Sequence, residues 1–224
     1  MGTAVMTACV TLAACGKDTT VMAGEARPEA RKLGIAWKPG QAVGPAQRPN
    51  ACDLLGKKEL QAILPQAESI ATKAGPAKVS RFNAAGHNVA TERAAHAVCE
   101  YEIRLPHRIG RDSYRLNYMR IEIEGVGDPA LMAKAFAIRK KTWRREEDGD
   151  LAAPGAEECF FTEASNGYLP QGVLCRRGPL MFSVSVTKWP AEFRAAGDDD
   201  SLQPLGTFEK RIYPAVIQSV TAKV

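Results

Sequence analysis

Apolar and polar residues alternate along several stretches in the second half of the chain, and a period of two predicts β-strands. The alternation is clearest in 99–105 and 180–187, it continues in 114–123 with a change of phase that suggests a bulge or two adjacent short strands, and we also expect strands at 158–163 and 172–176. The apolar positions of the two clearest strands are Cys99, Tyr101, Ile103 and Leu105, and Leu180, Phe182, Val184 and Val186. Strands with one apolar face are typical of an antiparallel sheet that is covered on one side.

Three other stretches have the 3.6-residue period of an amphipathic helix. The first begins after Gly56 and ends at Pro65. The second begins at Asp128, whose side chain can cap a helix, and runs toward Gly149. The third covers 204–222, and we expect a proline within it to bend it.

The stretch between the first helix and the first clear strand, 66–97, is rich in Ala, Gly and Lys and shows weak periodicity. It predicts a loop with one short strand at 79–82. The resulting order is a helix, two strands, a helix, three strands and a helix, which indicates an α+β fold. We therefore expect a single domain over 51–224, built from an antiparallel sheet of about five strands with the helices packed on one face.

The first fourteen residues, MGTAVMTACVTLAA, are small or apolar and carry no charge, as at the end of a secretion signal. Leu12-Ala13-Ala14-Cys15 also matches a bacterial lipobox, in which Leu and two small residues precede the Cys that receives a diacylglyceryl group. An apolar N-terminus that simply packs or frays is the alternative, and the absence of a basic residue near the start favours it. We predict a signal peptide over 1–14 and lipidation of Cys15, which would hold the protein on the extracytoplasmic side of the cell membrane.

Residues 15–50 contain many Gly and Pro residues and no apolar period, which predicts a flexible tether between the lipid and the domain. Ile35 and Trp37 are exceptions that could dock on the domain or remain exposed. Residues 16–50 hold six basic and three acidic residues, whereas 51–224 hold 24 basic and 22 acidic ones. The small basic excess could lie against anionic lipid headgroups, although a solvated linker is the simpler interpretation.

The overall charge of the chain argues against a nucleic-acid partner. The net charge is +5 over 224 residues, and the part expected to fold is nearly neutral. A nucleic-acid-binding domain concentrates basic charge on its folded surface. The basic run 139–145 is interpreted as a solvated helix face. No apolar run reaches the roughly 18 residues of a membrane-spanning helix.

Two of the six cysteines lie in the first fifteen residues, so four remain after processing. An even number of cysteines in an exported chain predicts disulfides. Three pairings are possible, and we favour Cys52–Cys99 and Cys159–Cys175, because the turn-rich stretch inside the second pair lets a hairpin bring its ends together. A four-thiolate zinc site is the alternative, but no Cys-x-x-Cys spacing occurs.

Local motifs for catalysis or nucleotide binding are absent from the sequence. His87, His96 and His107 fall in predicted loops or beside strand ends, where solvation is a simpler interpretation than metal binding or base catalysis. Three consecutive Asp residues at 198–200 lack the ligand spacing of a calcium loop and are better explained as an acidic turn before the last helix. The sequence therefore predicts no catalytic residue, no cofactor and no metal site.

Short motifs give the chain a family resemblance. Cys-Asp-Leu-Leu at 52–55, Glu-Leu at 59–60 and Cys-Glu-Tyr at 99–101 resemble the domain of actinobacterial secreted lipoproteins of unknown function. A lipidated Cys, a short polar segment and two disulfides suit the same plan. The resemblance covers about residues 49–224 and implies a location and an architecture, but no activity. The sequence departs from the pattern at Gly56, where such proteins often have a capping Thr or Ser.

Together these features predict a membrane-anchored bacterial lipoprotein whose domain is a non-catalytic binding module, with an envelope protein or a small ligand as its partner. The alternative is an envelope hydrolase whose site is assembled from distant residues. A binding surface would suit the polar face of the sheet, opposite the apolar face that the helices cover. We expect that polar face to display Glu100, Glu102, Arg104, Ser183, Ser185 and Thr187.

Overall fold

The structure is a computed structural model that describes residues 23–109, 113–144, 149–162, 172–187 and 208–224. The α-helices are α1 (Lys57–Ile63), α2 (Pro129–Trp143) and α3 (Tyr213–Thr221). Short 3-10 turns cover Pro45–Gln47 and Ala51–Asp53, and a π-helical turn covers Phe208–Ile212. The strands are β1 (Ser69–Phe82), β2 (Asn88–Ile109), β3 (Ser113–Val126), β4 (Glu158–Thr162), β5 (Gly172–Arg177) and β6 (Leu180–Thr187).

The six strands of the described residues form one antiparallel sheet in the order β1-β2-β3-β6-β5-β4. This confirms the α+β class and the antiparallel sheet, with six strands where the sequence predicts about five. The difference comes from 66–97, where β1 and the first half of β2 form a long hairpin in place of the expected loop. Most side chains of β1 are exposed, so its sequence shows no alternation, and pairing with β2 supplies the backbone hydrogen bonds that make it a strand.

The main core lies between one face of the sheet and the helices α1 and α3. Tyr101 and Ile103 of β2 are fully buried there, together with Leu60 of α1 and Val216 of α3. The disulfide-bonded Cys99 belongs to the same cluster. The alternation read from 99–105 therefore identifies the buried face of β2, because every second residue of a strand points to the same side.

The helix α2 packs on the opposite face of the sheet, so the prediction that all helices share one face is wrong. Met132 and Phe136 of α2 belong to a second cluster with Phe160, Leu174 and Met181 of β4, β5 and β6. The rings of Phe136 and Phe160 meet edge to face, with centroids 5.2 Å apart. Each of these three strands thus has an apolar residue on the face opposite the main core, and a sheet that is apolar on both faces at one place needs cover on both sides there.

The last helix of the sequence has two parts. A π-helical turn leads into α3 just before Pro214, which has no backbone N–H to donate. The irregularity therefore lies at the start of the predicted helix, near the proline that was expected to bend it. Ile212, Val216 and Val220 are buried, as their common stripe predicts.

Residues 23–50, which we call the N-terminal segment, run along the domain. The backbone N–H of Gly24 donates to the carbonyl oxygen of Ile63 in α1 at 2.8 Å. The N–H of Leu33 donates at 2.8 Å to the carbonyl oxygen of Lys223, in the turn after α3 (222–224) that we call the C-terminal turn. The N–H of Val43 donates at 2.7 Å to the carbonyl oxygen at the end of β3. Val43 is buried in the main core. Such contacts need no periodic side-chain pattern, because backbone groups make them.

The N-terminal segment therefore differs from the flexible tether expected over 15–50. Ile35 packs against the main core, whereas Trp37 remains 43% exposed. Frequent Gly and Pro residues in this segment indicate an irregular path, and the structure places that path on the surface of the domain. The part of the predicted tether before Ala23 lies outside the described residues.

Candidate functional site

Both disulfides have the pairing predicted from the sequence. Cys52, in the turn before α1, is bonded to Cys99 of β2, and Cys159 of β4 is bonded to Cys175 of β5. The second pair lies at directly opposed positions of two neighbouring strands. The first disulfide fixes the turn before α1 to β2, and the second ties the edge strand β4 to its neighbour β5. Two such bonds are typical of an exported protein.

In the described residues, the polar face of the sheet is covered at one end. There α2 lies across the strands, from Phe160 on β4 to Phe82 at the end of β1. At the other end of β1, β2 and β3, the polar side chains are exposed or half-buried, and no described helix covers them. We call this end the open face, and its residues are Lys73, Glu100, Glu102, Arg104, Tyr118 and Arg120.

Three of the predicted partner-face residues lie side by side on the open face. Glu100, Glu102 and Arg104 are all exposed on the central strand β2. In the register of the sheet, Glu100 lies between Lys73 of β1 and Arg120 of β3. The open face therefore carries acidic and basic side chains on adjacent strands, held at fixed spacing by the hydrogen-bond ladder.

The predicted residues on β6 have different surroundings. Ser185 is half-buried and lies opposite Arg120 in the register. Ser183 is half-buried near α2, and its Oγ donates to Oε1 of Glu124 at 3.0 Å. Thr187 lies opposite Tyr118 in the register, but its side chain is outside the described part. The serines therefore form the border between the open face and α2.

A charged cluster at this border was not predicted. Arg139 of α2 is only 7% exposed, and it donates from Nη1 to Oε2 of Glu124 at 2.7 Å and from Nη2 to Oγ of Ser80 at 2.6 Å. Its guanidinium also lies over the ring of Trp143, 4.5 Å from the centroid. The interpretation of 139–145 as a solvated face is therefore wrong at Arg139, which points into the sheet and joins α2 to β1 and β3.

Glu122 lies on the same face of β3 as Glu124 and is partly buried. Burial raises the pKa of Glu122, and the neighbouring charge of Glu124 raises it further. Arg120, whose Nη2 lies 2.8 Å from Oε2 of Glu122, lowers that pKa in part. The border of the open face thus contains a carboxyl group that takes up a proton more readily than an ordinary Glu. The alternation of Arg120, Glu122 and Glu124 with apolar residues could have placed all three on this face.

A second unpredicted cluster lies on the other side of the molecule, between α1 and the C-terminal turn. Oε2 of Glu59 accepts from Nζ of Lys223 at 2.5 Å and from the N–H of Gly56 at 2.5 Å, while its Oε1 accepts from the N–H of Glu29 at 2.9 Å. Nζ of Lys223 also donates to the carbonyl oxygen of Asp53 at 3.1 Å. The two charged side chains are 1% and 3% exposed. Both carboxylate oxygens of Glu59 and the ammonium group of Lys223 have partners within the protein, so this cluster holds the N-terminal segment, α1 and the end of the chain together.

Tyr101 lies beside this cluster in the main core. Its hydroxyl donates to the carbonyl oxygen of Leu55 at 2.7 Å. Burial raises the pKa of Tyr101 above its ordinary value, and the charges of Glu59 and Asp53 raise it further. Tyr101 is therefore a neutral hydrogen-bond donor that helps to hold the start of α1 on the sheet.

The candidates for metal binding and catalysis do not come together in the described residues. There, no group of three or more His, Cys, Asp or Glu could hold a metal ion. His87 and His96 are exposed, and the side chain of His107 and the run 198–200 lie outside the described part. Two open clefts of about 410 and 450 Å³ lie beside the N-terminal segment and along 151–159, and neither is lined by a histidine.

The residues predicted to reach the membrane also lie outside the described part. They are the signal peptide, 1–14, and Cys15 with the rest of its lipobox. Among the described ranges, no helix has the length and apolar character needed to cross a bilayer. The lipid anchor consequently stays a prediction from the sequence.

Comparison with known proteins reveals no relative. The chain matches no protein family, no curated protein and no solved structure. The resemblance to actinobacterial lipoproteins consequently rests on the short motifs at 52–55, 59–60 and 99–101. Function has to be argued from the described residues themselves.

Proposed function

We propose that this protein is a bacterial lipoprotein held on the extracytoplasmic side of the cell membrane by Cys15, and that its domain is a non-catalytic binding module for another envelope component. The lipobox at 12–15 supports the anchor. The two disulfides support an oxidising compartment outside the cytoplasm. The motifs shared with actinobacterial secreted lipoproteins support the same location.

The open face is the observation that carries the binding role. Glu100, Glu102 and Arg104 are exposed on β2, which is paired on both sides with β1 and β3, and they lie outside both core clusters. A charged pattern on a rigid sheet is preorganised, so a partner of complementary charge would lose little conformational entropy in the surface that it contacts. The helix α2, which packs across the sheet, bounds the open face on one side.

Charge reversal on the open face tests the binding role. The variant Glu102→Lys/Arg104→Glu keeps the net charge and should change stability by only about 0.5 kcal/mol, because both side chains are exposed. It should lose the proteins or ligands that the unmodified protein captures when it is cross-linked in intact membranes. The control is Lys141→Glu/Asp150→Lys, an exposed pair near the C-terminal end of α2 that also keeps the net charge and lies outside the open face. Equal capture by both variants and the unmodified protein would reject the open face as the binding surface.

The anchor needs an independent experiment. Labelled fatty acid should enter the protein in cells, and Cys15→Ala should abolish the incorporation. Label that persists in the variant would show that Cys15 is not the lipidation site. Cys9 provides the matched control, because Cys9→Ala should leave the incorporation unchanged.

An envelope hydrolase is the second candidate, and the partly buried Glu122 at the border of the open face is the observation that favours it. The pKa of Glu122 is raised, so this residue could donate a proton to a leaving group, whereas both carboxylate oxygens of Glu124 are already bonded to Arg139 and Ser183. Isolated cell-wall polymer would be incubated with the protein, and released fragments would be measured by mass spectrometry. Glu122→Gln should abolish the release. Release that survives in this variant, or no release by the unmodified protein, would reject this function.

A further inference from the structure

Exposed basic side chains cluster around the point where the described chain begins. They come from three elements, the N-terminal segment, α1 and the residues that lead into α3. They are Arg27, Arg31, Lys32, Lys57, Lys58, Lys210 and Arg211, and we call them the basic surface. The described acidic side chains beside them are Glu25, Glu29 and Asp53. The basic surface thus has seven basic residues against three acidic ones.

The three elements of the basic surface are in direct contact. The N–H of Gly24 donates to the carbonyl oxygen of Ile63 at the end of α1. Nη1 of Arg31 lies 3.7 Å from Oδ1 of Asp53, just before α1. Arg211 and Glu25 line the same open cleft. The three elements that carry these basic side chains are therefore neighbours in the fold.

The proposed anchor is close in sequence to the first element of the basic surface. Eight peptide steps separate Cys15 from Ala23, the first described residue. At 3.3–3.6 Å per residue, a fully extended chain over that interval spans at most about 30 Å. A lipid on Cys15 would consequently keep Ala23, and the surface around it, within that distance of the bilayer.

We propose that the basic surface faces the membrane and binds anionic lipid headgroups, an inference that rests on the proposed lipid anchor. Anionic bilayers attract Lys and Arg side chains within about a Debye length of the headgroups. The helices α1 and α3 cover one face of the sheet, and the open face lies on the other. Contact through the basic surface would therefore turn the open face away from the bilayer, where an envelope partner could reach it.

Vesicle binding by the mature chain without its lipid tests this inference. Residues 16–224, which include every described residue, would be sedimented with vesicles of phosphatidylcholine containing 30% phosphatidylglycerol. We expect partitioning that 0.5 M salt abolishes, and none with pure phosphatidylcholine, because headgroup attraction is screened at high ionic strength.

Two triple variants distinguish a local surface from overall charge. Arg27→Gln/Lys58→Gln/Arg211→Gln should lower the partition coefficient roughly 100-fold, since each basic residue near the headgroups contributes about fivefold. Lys78→Gln/Arg81→Gln/Arg93→Gln removes the same charge from exposed positions of β1 and β2 outside the open face and should stay within about fivefold of the unmodified chain. Near-ultraviolet circular dichroism checks that both variants are folded. If the first fails to fold, Arg27→Gln/Lys58→Gln replaces it, with an expected loss of roughly 30-fold.

Equal losses in the two triple variants, or no binding to anionic vesicles, would overturn the inference. Fatty-acid labelling of Cys15 in cells reports on the anchor separately. Label without vesicle binding would reject the basic surface and keep the anchor. Vesicle binding without label would reject the anchor, and the basic surface would then stand as a lipid-binding site that acts without it.

Discussion

The buried ion pair between Glu59 and Lys223 permits a quantitative test of how the N-terminal segment, α1 and the C-terminal turn are held together. The two side chains are 1% and 3% exposed, and their charged atoms lie 2.5 Å apart. Removing one member of a buried pair costs about 3–5 kcal/mol, because the other charge is left without its partner in a medium of low polarity. Lys223→Met is the appropriate change, since Met keeps most of the volume of the side chain.

The two members of the pair should not be equivalent. In Lys223→Met, the carboxylate of Glu59 keeps the N–H groups of Gly56 and Glu29. In Glu59→Gln, the ammonium group of Lys223 keeps the carbonyl oxygen of Asp53 and gains only a neutral amide oxygen. We therefore expect a loss near 3 kcal/mol for Lys223→Met and near 5 kcal/mol for Glu59→Gln.

Urea unfolding of the oxidised protein measures these losses, and the double variant completes a cycle. The double variant should lose about 2–3 kcal/mol less than the sum of the single losses, because the second change removes the charge that the first leaves unpaired. Asp53→Asn is the control, since its partner Arg31 is 70% exposed and the exposed pair should contribute about 0–1 kcal/mol. A loss below about 1 kcal/mol for Lys223→Met would refute the reasoning.

Three further predictions follow from the described contacts. Glu122→Gln should raise the unfolding free energy at pH 7 and leave it unchanged well below pH 4.5, the ordinary pKa of Glu. A carboxyl whose pKa is raised in the folded protein stabilises the fold while it is protonated, and this contribution is lost as the pH rises through the folded pKa. Equal effects of the substitution at both pH values would contradict the raised pKa. Arg139→Leu should cost about 3 kcal/mol in urea unfolding, because it leaves the partly buried Glu124 without its cation, whereas the exposed Arg144→Leu should cost less than about 1 kcal/mol. A chain that starts at Pro49 should melt about 10 °C lower, because it loses about 4 kcal/mol of hydrogen bonds and buried contacts, and each kcal/mol corresponds to about 2–4 °C. A change in melting temperature below about 3 °C would support the flexible tether predicted from the sequence.

Local patterns in the sequence were sufficient to predict several elements of the fold. The alternation in 99–105 and 180–187 predicts strands because one face of each is buried by the main core. Asp128 predicts the start of α2, and in the structure its Oδ1 accepts from the N–H of Leu131 at 3.0 Å. The disulfide pairing was also predicted correctly, with the turn-rich stretch before Cys175 as the signal for the second bond. In each case the information lies within a few residues or in a small number of cysteines.

The features that the sequence did not predict depend on contacts with other segments of the chain. The strand β1 has mostly exposed side chains, so its pairing with β2 and not its own pattern decides its conformation. The side of the sheet on which α2 packs depends on which residues of β4, β5 and β6 point toward it. The N-terminal segment follows the domain through backbone hydrogen bonds, which leave no periodic trace in the side chains.

The sequence by itself determined the class of fold, the disulfides and the exposed charged face of β2, because burial of alternate residues and cysteine pairing are visible in the order of residues. Only the tertiary structure decided which polar residues are inside. Arg139 reads as part of a basic run, yet contact with Glu124 and Ser80 places it within the fold. Glu59 and Lys223 are 164 residues apart, and their burial is favourable only because the fold brings them together. A charged side chain is buried where a partner compensates its lost hydration, and that partner is known only from the folded chain.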